Sequence, residues 1–248
     1  MIYSHSDIDH RTHDLLQIDT EATNCVQEGH SISKNALPYD IGFAVIDTHA
    51  NVYETFDFVN ADVFYGEPEL MESAYYADKI PQYEAEIEAG IRTVATSYEI
   101  RQVMLDAIAR YGIKEVIAHN ARFDCDALNN AIRWDTKSKF RYWFPYGLVE
   151  WWDSLKMARS VICKMPTYKT FCYEVLGLNR VSATAENLYR FISGKHDFKE
   201  AHTGLEDVLI EAEIVGYCYR QHKPMEKVLF KPREIDWDAN PTWERIGD

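Results

Sequence analysis

Residues 15–21 read Leu15-Leu16-Gln17-Ile18-Asp19-Thr20-Glu21, a short apolar run that closes on two acids. The run at 15–18 predicts a buried strand ending at Asp19. Alternation along a strand sends the side chains of Asp19 and Glu21 to the same face. This is the only D-x-E in the chain. Chance alone supplies about 1.6 such pairs at this acidic content, so the motif needs partners from elsewhere in the fold.

Working outward, residues 24–38 carry Asn, Gly, Ser and Pro and predict a loop. Residues 40–47 (DIGFAVID) and 52–63 (VYETFDFVNADV) are β-rich and predict an antiparallel hairpin. Thr96 and Glu99 can form a capping box ahead of Ile100, Val103, Met104, Ile108 and Tyr111, and Gly112 stops that helix. Residues 115–119 (EVIAH) predict a short buried strand, and 122–134 a helix. Further helices are expected over 151–163, 185–192 and 203–222. Three strands, a helix, a strand and then helices indicate an α/β layered domain with a mixed sheet. Residues 1–13 predict a polar extension, 14–222 the domain, and 223–248 a tail that packs on it or on a partner.

Composition narrows the classes. With 248 residues, 46% apolar and 27% charged, the chain has material for a sizeable core. The longest uncharged run, residues 142–149, is far short of the roughly 20 residues a membrane helix needs. The first residues lack the pattern of a signal peptide. Five cysteines form no C-x-x-C pair, which argues against a disulfide scaffold or a cysteine zinc site and for a reduced, cytoplasmic setting. The net charge of −14 disfavours nonspecific nucleic-acid binding, yet residues 133–199 hold 12 basic against 6 acidic residues. Residues 67–88 hold seven acids and one lysine, Lys79. Such blocks read as solvated surface or as a basic wall beside an acidic centre. No phosphate loop, dinucleotide fingerprint, nucleophile elbow or H-E-x-x-H occurs.

What remains is a set of acids at element ends. Asp124 opens a helix within His119-Asn120-Ala121-Arg122-Phe123-Asp124, and Asp207 lies five residues after His202 at the start of the last long helix. Four carboxylates converging in a partly dry site raise one another's pKa values and suit divalent cations. Oxygen ligands favour Mg²⁺ or Mn²⁺, and a pair of such ions can clamp a phosphodiester. A histidine with an ordinary pKa near 6.5 can take a proton from an attacking water.

Asp19-Thr20-Glu21, His119 through Asp124, and His202-(x)4-Asp207 resemble the three motifs of the DEDDh group of DnaQ-like 3′–5′ exonucleases. The resemblance covers roughly residues 14–222 and includes Trp152-Asp153-Ser154-Leu155 and Ala158-Arg159. It implies a ribonuclease-H-like three-layer fold, a mixed central sheet flanked by helices. It also implies that Asp19, Glu21, Asp124 and Asp207 bind two divalent metal ions and that His202 is the general base. Thr20, Asn120 and Phe123 fall at substrate-binding positions. The implied reaction releases nucleoside 5′-monophosphates from single-stranded 3′ ends, DNA favoured, with a polymerase as a conceivable partner. A ribonuclease trimming RNA ends and a noncatalytic module of the same fold are the alternatives. Where many members carry a glycine after the first motif, this chain has Ala22-Thr23-Asn24. Tyr142, Trp143, Phe144, Trp151 and Trp152 interleave with Lys137, Lys139 and Arg141, which reads as base-stacking surface or as packing. His119 reads as a packed, hydrogen-bonded residue rather than a catalytic one.

Overall fold

The computed structural model describes residues 13–23, 36–72 and 74–230. Six strands form one sheet: β1 (Asp14–Ala22), β2 (Pro38–Asp47), β3 (Val52–Asn60), β4 (Thr93–Ala95), β5 (Glu115–Ala118) and β6 (Glu150–Asp153). Their spatial order is β4-β3-β2-β1-β5-β6. The β1–β2 and β2–β3 pairs are antiparallel, and β1–β5, β3–β4 and β5–β6 are parallel, so the sheet is mixed as expected.

The helices in chain order are α1 (Ala61–Phe64), α2 (Pro68–Glu72), α3 (Ile80–Glu88), α4 (Ser97–Tyr111), α5 (Arg122–Thr136), α6 (Ser154–Ser160), α7 (Pro166–Thr170), α8 (Ala185–Ser193) and α9 (Gly204–Arg220). Alternation along β1 sorts them into layers. Leu15 joins a core with Met157, Leu188, Val208 and Val215 under α6, α8 and α9. Leu16 and Ile18 join a second core with Ile100, Met104, Leu128 and Trp143 under α4 and α5. Helices therefore cover both faces of the sheet, the expected three-layer arrangement.

Several boundaries differ from the sequence reading. β1 runs on through the acids to Ala22 instead of ending at Asp19, because antiparallel pairing continues, with Asp19 opposite Gly42 and Glu21 opposite Asp40. Residues 61–63 are helical rather than strand, since Asn60 caps α1 by accepting from the Asp62 N–H. Residues 151–153 belong to β6, and the helix expected from 151 begins at Ser154, where the Asp153 side chain caps it through the Leu155 N–H. The capping box at Thr96 and the left-handed Gly112 bound α4 as expected.

The acidic stretch around 66–95 supplies α2, α3 and the edge strand β4, with its own small core around Tyr39, Val63, Met71 and Tyr83. Residues 227–229 line the edge of β6: the Asp153 N–H donates to Lys227 O and the Leu229 N–H to Trp151 O. The remainder of the expected tail (231–248), residues 1–12 of the extension, Cys25 and most of the 24–38 loop lie outside the described residues. His13, which is described, is anchored, with Nε2 2.5 Å from Glu115 and its ring stacked on Trp152. Cys125, Cys163, Cys172 and Cys218 are free thiols. No described helix is long and apolar enough to cross a membrane.

Candidate metal centre

The C-terminal end of β1 brings the acids together. Asp19 and Glu21 occupy odd positions on the strand, as Leu15 does, so they project toward the layer that contains α9. Asp207 sits in the first turn of α9. Ligand atoms of Glu21, His202 and Asp207 lie within 4.8 Å of one another. Asp124 reaches the site from the opposite layer at the start of α5. Its Oδ1 accepts from the Thr20 N–H at 3.0 Å and from the Thr20 hydroxyl at 2.9 Å. Thr20, at an even strand position, thus commits its hydroxyl to orienting Asp124.

Two glycines set how closely α9 approaches. A Cβ on Gly42 would lie 2.1 Å from the Gly204 carbonyl carbon, and one on Gly204 would lie 2.4 Å from the Gly42 nitrogen. Strand and helix start are in backbone contact directly across from Asp19. The first helical N–H, that of Gly204, is satisfied by the carboxylate of Asp40 at 3.0 Å. Asp40 is fully buried and is paired with Arg92, with Tyr83 donating to it at 2.5 Å, and burial still leaves its pKa above the ordinary carboxylate value. Arg92 also pairs with Asp57 and Glu86. The acidic insertion therefore acts as a brace under the N-terminus of α9.

The same insertion holds His202. This residue has φ +54, a left-handed conformation that is costly for a side-chain-bearing residue. Lys79 Nζ donates to the carbonyls of both Ala201 and His202, the latter at 2.8 Å. The ring of Tyr76 stacks on the imidazole with centroids 4.8 Å apart and planes 17° apart. Burial, and then the nearby Lys79 cation, push the His202 pKa down.

Electrostatics set what the cluster can hold. Burial, then the charge of Glu211 and the other carboxylates, hold Asp19 well above the ordinary carboxylate range. Burial and Asp207 push Glu21 up to about 8, burial and Glu200 push Asp207 to about 8, and burial takes Asp124 to about 7. Asp207 Oδ1 is buried without a hydrogen-bond partner. Carboxylates held this way, one with an orphaned oxygen, fit divalent cations with oxygen ligands, such as Mg²⁺ or Mn²⁺.

A stability consequence follows. Because the folded pKa values exceed the unfolded ones, near 4, the folded metal-free chain holds protons that the unfolded chain gives up. Their contribution is fully present below about pH 4 and is lost as pH climbs through about 7 to 8. Between about pH 5 and pH 8.5 in EDTA, the melting temperature is expected to fall by something on the order of 10 °C. Millimolar Mn²⁺ should reverse the fall at the upper end. A melting temperature that stays flat over that range, with no response to Mn²⁺, would contradict the assignment.

Other residues singled out in the sequence fall nearby or elsewhere. Asn120 has φ +66, is exposed, and has its N–H held by Asp153 Oδ1 at 3.1 Å. Phe123 is half-buried one position before Asp124. The His119 ring nitrogens lie 2.9 Å from Ser154 Oγ and 2.8 Å from Ala183 O, the packed role expected of it. Trp143, Phe144 and Trp152 are core residues, whereas Tyr142 is exposed with Arg133 over its ring.

Asp40, Tyr76, Lys79, Arg92 and Glu211 belong to none of the motifs that mark the site in the sequence. Glu211, 3% exposed and bound by Gln17 Nε2 at 2.7 Å, faces the acids one turn after Asp207. A charged residue on the apolar side of that helix was the signal that could have marked it.

No protein-family model matches the chain, and no curated protein matches its sequence. Solved structures do match. One, described as a 3′-exonuclease in 3′-end specific recognition of histone mRNA stem-loop, is 14% identical with a TM-score of 0.55 over 87% of this chain, which spans 66% of that one. The nuclease domain of 3′hExo, a DEDDh family member bound to rAMP, is 13% identical with a TM-score of 0.52, over 90% of this chain and all of the other. A full-length 3′-exonuclease gives 12% identity and a TM-score of 0.53, over 90% and 92% of the two chains. This chain has the ribonuclease-H-like fold of these 3′-exonucleases.

Proposed function

We propose that the chain is a metal-dependent 3′–5′ exonuclease acting on single-stranded nucleic-acid ends. The observation that carries the reading is the convergence of Glu21, His202 and Asp207 within 4.8 Å, beside Asp19 and Asp124. A binding module has no use for buried carboxylates that repel one another and leave an oxygen unpaired.

In this reading Asp19, Glu21, Asp124 and Asp207 hold two divalent ions. Bound there, the ions would supply Lewis-acid stabilisation of charge on the scissile phosphate. Thr20 fixes Asp124, and Asp40 fixes the start of α9 and so the height of Asp207 over the strand. His202, its pKa lowered, is neutral near pH 7 and accepts a proton from the attacking water through a ring nitrogen. Tyr76 and Lys79 keep that ring in place. The leaving products are nucleoside 5′-monophosphates.

DNA is the substrate the sequence reading favours. The neighbours described with histone mRNA and with rAMP favour a second reading, trimming of RNA ends. Discrimination between the two rests on contacts to the 2′-hydroxyl. The test uses 5′-labelled single strands of one sequence, as DNA and as RNA, with Mg²⁺, Mn²⁺ or EDTA. A ladder shortening from the 3′ end only with metal is expected, and the faster strand identifies the sugar. His202→Ala should slow that ladder by about 10²–10⁴-fold while leaving Mn²⁺ binding in place. An unchanged rate would remove His202 from the role of base.

A further inference from the structure

A cavity of about 600 Å³ lies against the second acidic motif, and its chemistry is the reverse of the metal cluster. Its wall includes His119 and Asn120 after β5, Arg159 of α6, and Arg180, Ser182 and Thr184 from the segment leading into α8. No Asp or Glu is among its described lining residues, in a chain whose net charge is −14. Both arginines are exposed, and neither has an ion-pair partner among the described residues. Both belong to the 133–199 block that carries the basic excess. His119 ties this wall to the sheet through its contacts with Ser154 and Ala183. The cavity is joined to the acids through the second motif: Asn120 lines it and precedes Asp124 by four residues, across a turn in which the Phe123 N–H donates to Asn120 O at 3.0 Å.

Free guanidiniums present planar forks that match phosphate oxygens, and hydroxyls beside them supply further donors. A 3′ end seated at the acids leaves the strand only one direction in which to continue. Any phosphate held beside the acids is then on the 5′ side of the scissile bond. We infer that this cavity is a phosphate subsite, in which Arg159 and Arg180 hold the backbone of the substrate strand 5′ to the bond being cut. The inference rests on the exonuclease reading and adds to it a source of affinity for strands longer than two nucleotides. It also gives an acidic protein a local means of holding a polyanion.

The test reads binding separately from cleavage. Fluorescence anisotropy in EDTA measures a labelled single strand of about 12 nucleotides on the full chain and on an Arg159→Ala, Arg180→Ala double variant. A rise in Kd of about tenfold or more is expected, with the salt slope smaller by about 1 to 2. A Lys169→Ala, Lys195→Ala control, which removes two exposed charges outside the cavity, should stay within about twofold. In kinetics with Mn²⁺ the double variant should raise KM for the long strand and leave kcat alone. KM for a dinucleotide, which has no phosphate beyond the scissile one, should not move.

An unchanged Kd in a folded double variant overturns the subsite. So does an equal loss in the lysine control, or an equal loss on the dinucleotide, which would place the arginines at the reacting centre. Competition by inorganic phosphate in the wild type, with the strand's Kd unmoved in the variant, assigns the cavity to a free anion and also overturns it. If the wild-type chain cleaves neither substrate, the exonuclease reading fails, and the anisotropy result still decides the subsite.

Discussion

Replacing Asp19 with Ala is expected to reduce cleavage by at least about 10³-fold while raising, not lowering, the melting temperature of the metal-free chain above neutral pH. The two effects have one cause. Asp19 stands among Glu211, Asp124, Glu21 and Asp207, and burial together with these charges holds its pKa well above the ordinary range. Removing it relieves repulsion that the fold carries only when no cation offsets it. A stabilised but inactive variant is hard to explain as misfolding, which makes the paired readout informative. The stabilisation should vanish below about pH 3, where the carboxyls are protonated in both states. It should invert in millimolar Mn²⁺, because the wild type gains binding energy that the variant lacks. Cleavage that persists in Asp19→Ala would sink the metal-site assignment. Loss of cleavage with a lowered melting temperature in EDTA would show that Asp19 serves the fold.

The residues proposed to do chemistry were more legible than those that place them. Asp19, Glu21, Asp124, His202 and Asp207 stood out because each is a polar residue at the end of an apolar element, in an order with a known counterpart. The layers were legible because alternation in residues 15–18 splits cleanly between the two faces. The brace was not. Asp40 begins an apolar stretch and looks like a strand-end acid until tertiary contact puts Arg92 and Tyr83, 52 and 43 residues away in sequence, on its oxygens. Tyr76 and Lys79 reach His202 across more than 120 residues, a pairing that no local pattern encodes. The acidic block at 67–88 left solvated surface and a functional wall both open, because its charge is visible in sequence and the small core around Tyr83 is not. Residues 151–153 read as helix because Trp-Trp-Asp has no alternation to show, and only pairing with β5 makes them strand.

Gly42→Ala is the change expected to harm the protein most without touching a reacting group. Its Cβ would meet the Gly204 backbone at 2.1 Å, with the Leu205 nitrogen equally close. Flexible side chains can yield to such a contact, but here the atoms are the first turn of α9 and must move as a unit. The N–H of Gly204 would leave Asp40, stranding a fully buried carboxylate beside Arg92 with one donor fewer. Overpacking and the lost hydrogen bond together cost about 3 kcal/mol or more, or roughly 6–12 °C in melting temperature. Because Asp207 rides on that turn, the shift also opens the Glu21–Asp207 approach, so Mn²⁺ affinity should drop by about tenfold or more. The drop in affinity is what separates a misplaced helix from general destabilisation. It should persist well below the new melting temperature, where the variant is folded. A variant that melts as the wild type does and binds Mn²⁺ equally well would mean that α9 is not seated against β2 at Gly42. The approach that gives Asp207 its place among the acids would then have to come from elsewhere.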